Sequence, residues 1–379
     1  MRVMILGGDG FCGWPTSLYL SSQGNEVMIV DNLSRRAIDS ELGTSPLLNI
    51  ASPEERIATA REYVGEIKFQ HINVASEYDK LKSAISDFEP ETIVHFGEQR
   101  AAPFSMLGGR ERCYTVDNNV TGTHNVCSAI VETDLNIHLV HLGTMGVYGY
   151  NSDFGEIPEG YLDITVNSTQ KSTKIVFPQN PGSIYHMTKC LDHTILQYYF
   201  KNWGMNVTDL HQGIVWGFDT PLTSLHPNLR NRFDYDGIYG TVLNRFIVQA
   251  MNNHPLTIYG TGGQTRAFIN IADTAHCILL AIKNPPKSEV RILNQVSEVK
   301  TVIDLANMIS ERFGSEVNML ENPRKELPEN DLMVANKGLR SLGFDPILLK
   351  NQLIDDVANL VDNTDAKFSG QTVLNSPKW

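Results

Sequence analysis

The sequence has 379 residues, of which 41% are hydrophobic and 20% are charged, and this suits a globular protein of two domains or of two subdomains sharing a core. Its 43 acidic residues outnumber the 31 Lys and Arg, so the formal net charge is −12. An acidic chain binds nucleic acid and anionic membranes poorly, and no apolar run approaches the roughly 18 residues of a membrane-spanning helix. Met1–Leu6 is typical of a core strand rather than a secretory signal. We therefore predict a cytoplasmic protein with no nucleic-acid or membrane partner.

The cysteines and histidines do not indicate a metal site or a disulfide framework. The five cysteines are scattered and form no Cys-x-x-Cys, which favours free thiols in a reducing cytosol. His138 and His141 form a His-x-x-His, but an offset of three on a strand points the two side chains to opposite faces. The sequence therefore predicts no metal, and packing or hydrogen bonding is the expected role of these histidines.

The N-terminal segment has the order strand, glycine turn, helix, strand and acid. The first strand leads into Gly7, Gly10 and Gly13, and a second apolar strand ends at Asp31. This order is typical of a dinucleotide-binding unit. The glycines would provide a tight turn, backbone approach to a pyrophosphate at the helix N-terminus, and close helix packing. A glycine-rich turn without a ligand is the alternative.

The acid at the end of the second strand favours one cofactor over another. Asp31 suits a ribose diol and would repel a 2′-phosphate, so it favours NAD over NADP. Arg35 and Arg36 lie close enough to accommodate such a phosphate. A solvated loop or contacts to the pyrophosphate are alternative roles for both arginines.

Strand and helix patterns continue to alternate up to about residue 212. Strands are predicted over residues 68–74, 92–96, 137–142 and 207–210, and helices over 77–88, 116–132 and from residue 185. This order predicts an α/β fold, a Rossmann-like doubly wound parallel sheet that binds ligands at the carboxyl ends of its strands.

The regular alternation stops in the second half of the chain. We predict an NAD-binding domain at residues 1–212, with a polar excursion over the site at 151–182 and a return segment at about 264–284. Residues 213–379 would form a smaller, mixed α/β domain and a C-terminal tail. Arginines and glycine turns lie between apolar segments there, which is typical of a pocket for a phosphorylated ligand. Surface charge is the alternative for at least half of these arginines.

A hydroxyl and a Tyr/Lys pair carry the chemistry. Thr144 ends a predicted strand, whereas Tyr185 and Lys189, at i and i+4, share one face of a predicted helix. The ammonium would stabilise a phenolate and lower the tyrosine pKa from its usual value of about 10. The pattern predicts removal of a proton from an alcohol held by Thr144, although the Tyr-x-x-x-Lys spacing alone also arises by chance.

Several segments together carry a family resemblance. They are Gly7–Gly10, Val30–Leu33, His95–Arg100 with Ala102–Pro103, Leu142–Gly146, Leu229–Arg232 and Gly262–Arg266. With these segments the chain resembles the extended short-chain dehydrogenase/reductases that act on nucleotide sugars. Within them it is similar, over nearly its whole length, to the UDP-sulfoquinovose synthase family, an enzyme family formally classed with hydrolases acting on carbon–sulfur bonds.

The resemblance implies a set of site residues. The catalytic set is Thr144, Met145, Tyr185, His186 and Lys189. The cofactor set is Gly7, Asp9, Gly10, Phe11, Cys12, Gly13, Asp31, Asn32, Arg35, Arg36, Asn73, Val74, Gly97, Asn119, Tyr185 and Lys189. The substrate set is Arg100, Thr144, Gln212, Thr241, Arg245, Gln264, Arg266 and Arg324. The chain departs from the family at Asn73, where an Asp is usual, and at Val147, where a Glu is usual.

Met145-Gly146 distinguishes the chain from the related nucleotide-sugar 4,6-dehydratases. Those enzymes carry Asp-Glu at this point, and the acid pair removes the C5 proton and protonates the departing C6 hydroxyl. Met145 and Gly146 can do neither. Neutral residues suit the approach of an anion such as sulfite to C6, because carboxylates would repel it.

The resemblance implies UDP-glucose and sulfite as substrates and NAD as cofactor. C4 is oxidised transiently while Tyr185 takes the O4 proton; water is then lost from C5 and C6, sulfite adds at C6, and C4 is reduced again. His186 is the candidate carrier of the C5 proton, with a position facing the cofactor or the core as the alternative. Arg100 is a candidate partner for sulfite or the pyrophosphate, with a structural salt bridge as the alternative.

Other functions and partners stay open at this stage. A UDP-glucose 4-epimerase or 4,6-dehydratase shares these motifs, and a non-catalytic NAD-binding sensor would share the fold. The sulfur donor is free sulfite or sulfite delivered by a protein. The resemblance further implies a homodimer or homotetramer assembled through the helices at 116–132 and 183–203.

Overall fold

The computed structural model describes residues 1–149, 155–322 and 332–350, and residues 352, 353, 356, 360 and 373 beyond them. Arg324 and residues 151–154 of the predicted excursion lie outside the described residues. No helix of the described chain is long and apolar enough to cross a membrane.

Strands and helices alternate through the first half of the chain. The elements are β1 (Arg2–Leu6), α1 (Gly13–Ser22), β2 (Glu26–Asp31), α2 (Ser34–Leu42), α3 (Pro53–Tyr63), β3 (Ile67–His71), α4 (Tyr78–Phe88), β4 (Thr92–His95), α5 (Ala102–Ser105), α6 (Gly109–Glu132), β5 (His138–Thr144), β6 (Tyr161–Val166), β7 (Lys171–Val176), α7 (Ile184–Trp203) and β8 (Asn206–Gln212). The long helix α6 begins seven residues before the predicted Val116 because the polar turns at Gly109–Cys113 are helical too.

The second half is less regular, as predicted. Its elements are β9 (Ile214–Trp216), α8 (Val242–Met251), β10 (Leu256–Tyr259), β11 (Thr265–Asn270), α9 (Ile271–Lys283), β12 (Arg291–Gln295), β13 (Glu298–Thr301), α10 (Val302–Phe313), β14 (Val317–Leu320) and α11 (Lys337–Ser341).

The main sheet has seven strands in the order β12-β8-β5-β4-β1-β2-β3, and every neighbouring pair is parallel. Apart from the edge strand β3, its strands are largely buried on both faces, which explains their apolar runs. In β1, for example, Val3–Leu6 is fully buried. One apolar cluster lies on each face of the sheet. The predicted Rossmann-like fold is confirmed, and the carboxyl ends of the strands meet at one edge, where a ligand site is expected.

A smaller set of strands lies beside this edge. β9 and β13 flank β11 in a three-stranded sheet, and β10 pairs with β14. These strands pack with α8 and α10 around the third apolar cluster, which includes Trp216, Phe246 and Phe268. The chain then returns to the main sheet, where β12 pairs with β8. The predicted domain division at residue 212 stays a prediction.

The described part of the predicted excursion contains an antiparallel hairpin of β6 and β7. The hairpin is connected to the last third of the chain by an isolated bridge between Ile157 and Val334. Tyr161 at the start of β6 donates a hydrogen bond to the carbonyl of Val290 at 2.7 Å. These contacts hold the hairpin against the body of the protein beyond β8.

Candidate active site

A glycine cradle lies between β1 and α1. Gly7 has φ of 80°, and a Cβ there would lie 2.6 Å from the backbone of Phe96 at the end of β4. A Cβ at Gly13 would lie 2.2 Å from the carbonyl oxygen of Gly7. Cys12 precedes α1 and makes no side-chain capping bond. The N-terminal end of the helix, with its positive dipole, therefore faces the cleft, which suits a pyrophosphate.

Asp31 lies at the end of β2 in the same cleft. One carboxylate oxygen accepts a hydrogen bond from the Asp9 amide at 2.9 Å and the other from the Leu33 amide at 2.7 Å. Burial and the nearby charge of Asp9 raise the pKa of Asp31 to about 6. With the glycine cradle, this carboxyl fits a dinucleotide whose ribose hydroxyls would donate to Asp31.

The two arginines near Asp31 are already paired with acids. The Arg36 guanidinium lies 2.6 Å from the Asp9 carboxylate. Arg35 pairs with Asp39 and, at 3.2 Å, with Asp234. Both guanidinium groups are therefore already held by carboxylates of the protein, which leaves them less available to a 2′-phosphate and agrees with the predicted preference for NAD.

Most of the predicted cofactor residues line this one cleft. They are Gly7, Asp9, Gly10, Phe11, Cys12, Gly13, Asp31, Asn32, Arg35, Val74, Gly97, Tyr185 and Lys189. Arg36, Asn73 and Asn119 do not line it. The side-chain oxygen of Asn73 accepts a hydrogen bond from the backbone N–H of Ala75 at 3.0 Å. Asn119 is fully buried against Gln99 and Thr188. Asn118, its neighbour, lines the cleft instead.

The Tyr/Lys pair lies at the start of α7. The Ser183 hydroxyl caps this helix by accepting from the His186 amide, and this places Tyr185 in its first turn. Burial raises the pKa of the Tyr185 phenol, whereas the Lys189 ammonium and a hydrogen bond with Thr144 lower it. The structure therefore brings the phenol, the ammonium and the threonine hydroxyl together, as the sequence predicts.

A second cleft adjoins the first and shares Tyr185 with it. The predicted residues that line it are Arg100, Thr144, Met145, Tyr185, His186, Gln212, Thr241 and Arg266. Arg245 and Gln264 do not line it: Arg245 is buried with its guanidinium 5.0 Å from the Tyr259 ring centre, and the Gln264 amide lies 3.4 Å from the Tyr259 carbonyl. Arg100 faces both clefts and pairs with Asp234 at 2.6 Å, so it has the salt bridge that was its alternative role.

Gly146 makes room for His186 in the second cleft. A Cβ at residue 146 would lie 2.3 Å from both Cδ2 and Nε2 of the His186 ring. Any side chain at this position would therefore displace the imidazole. Val147, the other departure from the family pattern, is buried in an apolar cluster with Met145 and Tyr148, so its side chain does not reach either cleft.

Sequence reasoning assigned no role to a buried polar cluster behind Lys189. The Lys189 ammonium lies 2.6 Å from the Glu98 carboxylate and 3.8 Å from that of Asp192. His141 lies 3.2 Å from Glu98 and 2.8 Å from Asp209. The register of β5 and β8 places His141 directly opposite Asp209, and the i, i+3 spacing places Asp192 beneath Lys189. The i, i+3 spacing could have been found in the sequence, whereas the register of β5 and β8 appears only in the folded sheet.

Two groups in this region have the side chains of a metal site. They are Glu98, His141 and Asp192, and His193, Asp209 and His211. The Lys189 ammonium already lies among the first group. In the second, both imidazoles approach the same Asp209 oxygen, at 3.4 and 3.0 Å. Ion pairs with Lys189 and His141 account for the first arrangement, and hydrogen bonds to Asp209 account for the second.

Comparison with known sequences gives consistent relatives. Residues 3–294 match the NAD dependent epimerase/dehydratase family. The whole chain is 42% identical to the chloroplastic UDP-sulfoquinovose synthase of Spinacia oleracea, of which it covers 79%. It is 39% identical over its whole length to the UDP-sulfoquinovose synthase of Sulfolobus acidocaldarius, of which it covers 98%.

Solved structures share the fold at lower identity. The UDP-glucuronic acid 4-epimerase of Bacillus cereus, solved with UDP-glucuronic acid and NAD, has a TM-score of 0.69 at 19% identity, over 96% of this chain and 98% of that one. The dTDP-glucose 4,6-dehydratase DesIV of Streptomyces venezuelae, solved with NAD, has a TM-score of 0.71 at 19% identity, over 96% and 98%.

Proposed function

Because this chain belongs to the NAD-dependent epimerase/dehydratase family and, within it, to the UDP-sulfoquinovose synthases, we propose that it converts UDP-glucose and sulfite into UDP-sulfoquinovose. It is an enzyme with NAD as its cofactor. Epimerases and dehydratases with the same fold also begin with oxidation at C4 by a Tyr/Lys pair. The choice between these activities therefore depends on the residues that line the second cleft.

The observation that carries the proposal is the charge of that cleft. Among the described residues that line it there are Arg100, Arg266 and His186 but no Asp or Glu. A 4,6-dehydratase of the acid-pair type needs carboxylates here, and sulfite would be repelled by them. Arginines and an imidazole instead favour two anions, the pyrophosphate of the nucleotide sugar and the incoming sulfite.

The first step takes place at C4 of the glucose. Thr144 holds O4 by a hydrogen bond, and Tyr185, with Lys189 beside it, takes the O4 proton. When bound, the nicotinamide of NAD supplies a hydride acceptor for C4 and later a donor. The 4-ketone that results acidifies the hydrogen at C5.

The later steps take place at C5 and C6. His186 takes the C5 proton and passes it to the departing C6 hydroxyl, so that water leaves and a conjugated 4-keto-5,6-ene remains. Sulfite arrives as hydrogensulfite, which gives its proton to His186 as its sulfur bonds to C6. His186 then delivers this proton to C5, and Tyr185 returns the other proton to O4 as C4 is reduced. The cycle leaves no net oxidation. A histidine imidazole such as that of His186 suits proton transfer in both directions, because its usual pKa is about 6.5.

We also propose the surroundings of this reaction. The protein would act in the cytoplasm, as a homodimer or homotetramer assembled through α6 and α7. The exposed aromatic side chains of Tyr198 and Trp203 on α7 are consistent with such a contact. Sulfite would arrive free or from a delivering protein.

The test is a mass spectrum of the UDP-sugar pool after the protein is incubated with UDP-glucose and NAD, with and without sulfite. A sulfonated UDP-hexose formed only with sulfite is the expected result. A dehydrated product in both samples would instead identify a 4,6-dehydratase. An unchanged mass accompanied by UDP-galactose on chromatography would identify a 4-epimerase.

A further inference from the structure

We propose that Glu98 is a positioning residue for the catalytic pair. Its carboxylate fixes the position of the Lys189 ammonium and partly offsets the effect of that positive charge on Tyr185, so that Tyr185 can both take and return the O4 proton. This inference rests on the proposed role of Tyr185 and Lys189 at C4. It adds a buried acid on the loop after β4, for which no role is predicted from the sequence.

The first support is the geometry around the ammonium. Lys189 Nζ lies 2.6 Å from Glu98 Oε2, and both side chains are only 4% exposed. The same ammonium donates to the carbonyl oxygen of Leu142 at 2.6 Å. These two contacts fix the direction of the lysine side chain, because a buried ammonium cannot exchange them for water.

Glu98 is itself held by its neighbours. His141 Nε2 lies 3.2 Å from Glu98 Oε1, and the Thr123 hydroxyl donates to the same oxygen at 3.3 Å. Although burial opposes it, the Asp209 carboxylate at 2.8 Å helps to raise the pKa of His141 well above its usual range. When protonated, His141 can donate to Asp209 through Nδ1 and to Glu98 through Nε2.

The backbone next to Glu98 is fastened to α7, which carries the Tyr/Lys pair. The side-chain oxygen of Asn119 accepts a hydrogen bond from the backbone N–H of Gln99 at 2.8 Å, and the side-chain NH₂ group of Asn119 donates to the backbone carbonyl of Gln99 at 3.0 Å. The NH₂ group also donates to Thr188 on α7 at 3.0 Å. Asn119 therefore sets the distance between the Glu98 loop and Lys189, which gives a function to a residue that does not line the cofactor cleft.

The charge of Glu98 opposes that of Lys189 at the phenol. The groups that face Tyr185 are Lys189 on its own helix, Glu98 and Arg100 on the loop after β4, and Thr144 at the end of β5; the His186 ring centre lies 5.3 Å from that of Tyr185. Burial and Glu98 raise the Tyr185 pKa, and Lys189, Thr144 and Arg100 lower it. An unopposed ammonium would lower the phenol pKa further, so the phenolate would be a weaker base and would be reprotonated more slowly. The reaction needs Tyr185 both to take the O4 proton and to return it.

Asp192 makes the proposal testable, because its more distant carboxylate keeps Lys189 protonated when Glu98 is replaced. Its carboxylate lies 3.8 Å from Lys189 and 3.7 Å from His141. Within the described chain neither Asp192 oxygen has a hydrogen-bond partner. Burial and the charge of Glu98 raise the Asp192 pKa to about 6. Without the Glu98 charge, Asp192 ionises more readily and keeps Lys189 protonated.

The experiment is an ultraviolet titration of tyrosinate in the NAD-loaded protein, with and without Glu98→Gln. For each protein, the titration of the same protein carrying Tyr185→Phe is subtracted as background. The difference then reports the ionisation of Tyr185 alone. The expected result is that Tyr185 ionises at a lower pH in the Glu98→Gln protein. The acid limb of its pH–rate profile should move to lower pH as well. An unchanged or higher midpoint would overturn the proposal.

Two further variants separate this effect from loss of a buried acid in general. Glu98→Asp keeps the charge and should return the Tyr185 midpoint most of the way to that of the unaltered protein. Asp273→Asn removes a carboxyl that is 4% exposed on α9 and bonded to Ser297, outside both clefts, and should not move the midpoint. An Asp273→Asn shift equal to that of Glu98→Gln would count against the proposal.

The titration needs no substrate, so it separates two kinds of failure. If no protein of the set acts on UDP-glucose but the Tyr185 midpoint shifts as expected, the proposed function fails and the role of Glu98 stands. If UDP-glucose and sulfite are converted but the midpoint does not shift, the role of Glu98 fails and the proposed function stands.

Discussion

The cofactor cleft and the substrate cleft meet at Tyr185 but differ in how their charges are balanced. Around the cofactor cleft, cations are paired with acids of the protein itself: Arg36 and Arg56 each lie 2.6 Å from Asp9, and Lys189 lies 2.6 Å from Glu98. The described lining of the substrate cleft instead has arginines and an imidazole with no acid among them.

This difference indicates how each cleft recognises its ligand. A cleft whose charges are already paired is rigid before the ligand arrives, because breaking a buried ion pair costs several kcal/mol. It can bind a cofactor through shape, backbone N–H groups and Asp31. A cleft lined by Arg266 and His186 and by no acid of the described chain does not repel anions, which suits a substrate carrying a pyrophosphate and a second, anionic substrate.

Tyr185→Phe tests a catalytic residue that lines both clefts, and we expect the largest effect there. Loss of the phenol removes the proton acceptor and donor for O4, so turnover should fall about 1,000-fold, within the range for general acid–base groups. NAD affinity should stay nearly unchanged because the ring remains. Turnover is measured as sulfonated product and NAD binding by calorimetry.

Tyr78→Phe is the matched control for this variant. Tyr78 lies on α4 with its hydroxyl 3.3 Å from that of Ser128, and it lines neither cleft. Its turnover should equal that of the unaltered protein. Turnover of Tyr185→Phe within a few-fold of normal would contradict the role given to the phenol.

The sequence predicted the fold and the shared edge of the two clefts well, because both depend on local patterns. The glycine turn, Asp31, Thr144 and the Tyr/Lys pair follow strand ends or share a helix face, so their positions follow from periodicity. Asn73 and Asn119 show the limit: their side chains bond to nearby backbone, and whether a polar side chain faces a ligand or its own loop depends on geometry that spacing does not define.

The buried cluster shows why other features were not predicted. Glu98, His141, Asp192 and Asp209 come from a loop, two strands and a helix, and only the assembled sheet brings them around Lys189. Similarly, Gly146 was interpreted as the absence of an acid. Its contact with His186 depends on how closely the turn after β5 approaches α7, and this distance is not encoded in either segment alone.

Gly146→Ala tests the substrate cleft by itself. The added methyl group would lie 2.3 Å from the His186 ring, far inside van der Waals contact, so the imidazole must move. We expect turnover to fall about 10- to 100-fold because the proton carrier for C5 is displaced, with little change in NAD affinity. Both are measured as for Tyr185→Phe.

A second glycine gives the control for the Gly146 variant. Gly109 opens α6, and the nearest atom to a Cβ there is the end of the Arg112 side chain at 3.9 Å. Gly109→Ala should therefore leave turnover unchanged. Full turnover in Gly146→Ala would show that His186 can leave its position without cost, and the imidazole would then have no part in the C5 step.

Asp31→Asn tests the cofactor cleft by itself and should have the smallest effect, about a tenfold loss of NAD affinity, which corresponds to one charge-assisted hydrogen bond. The unaltered protein should also lose affinity as the pH falls through about 6, where the raised pKa of Asp31 leaves its carboxyl protonated and unable to accept from two ribose hydroxyls. Asp31→Asn should lack this pH dependence.

Glu26→Gln is the control: it alters an exposed pair with Lys68 at the other end of β2 and should keep both the NAD affinity and its pH dependence. A pH dependence that persists in Asp31→Asn would assign it to another group and leave the paired arginines as the remaining basis for preferring NAD.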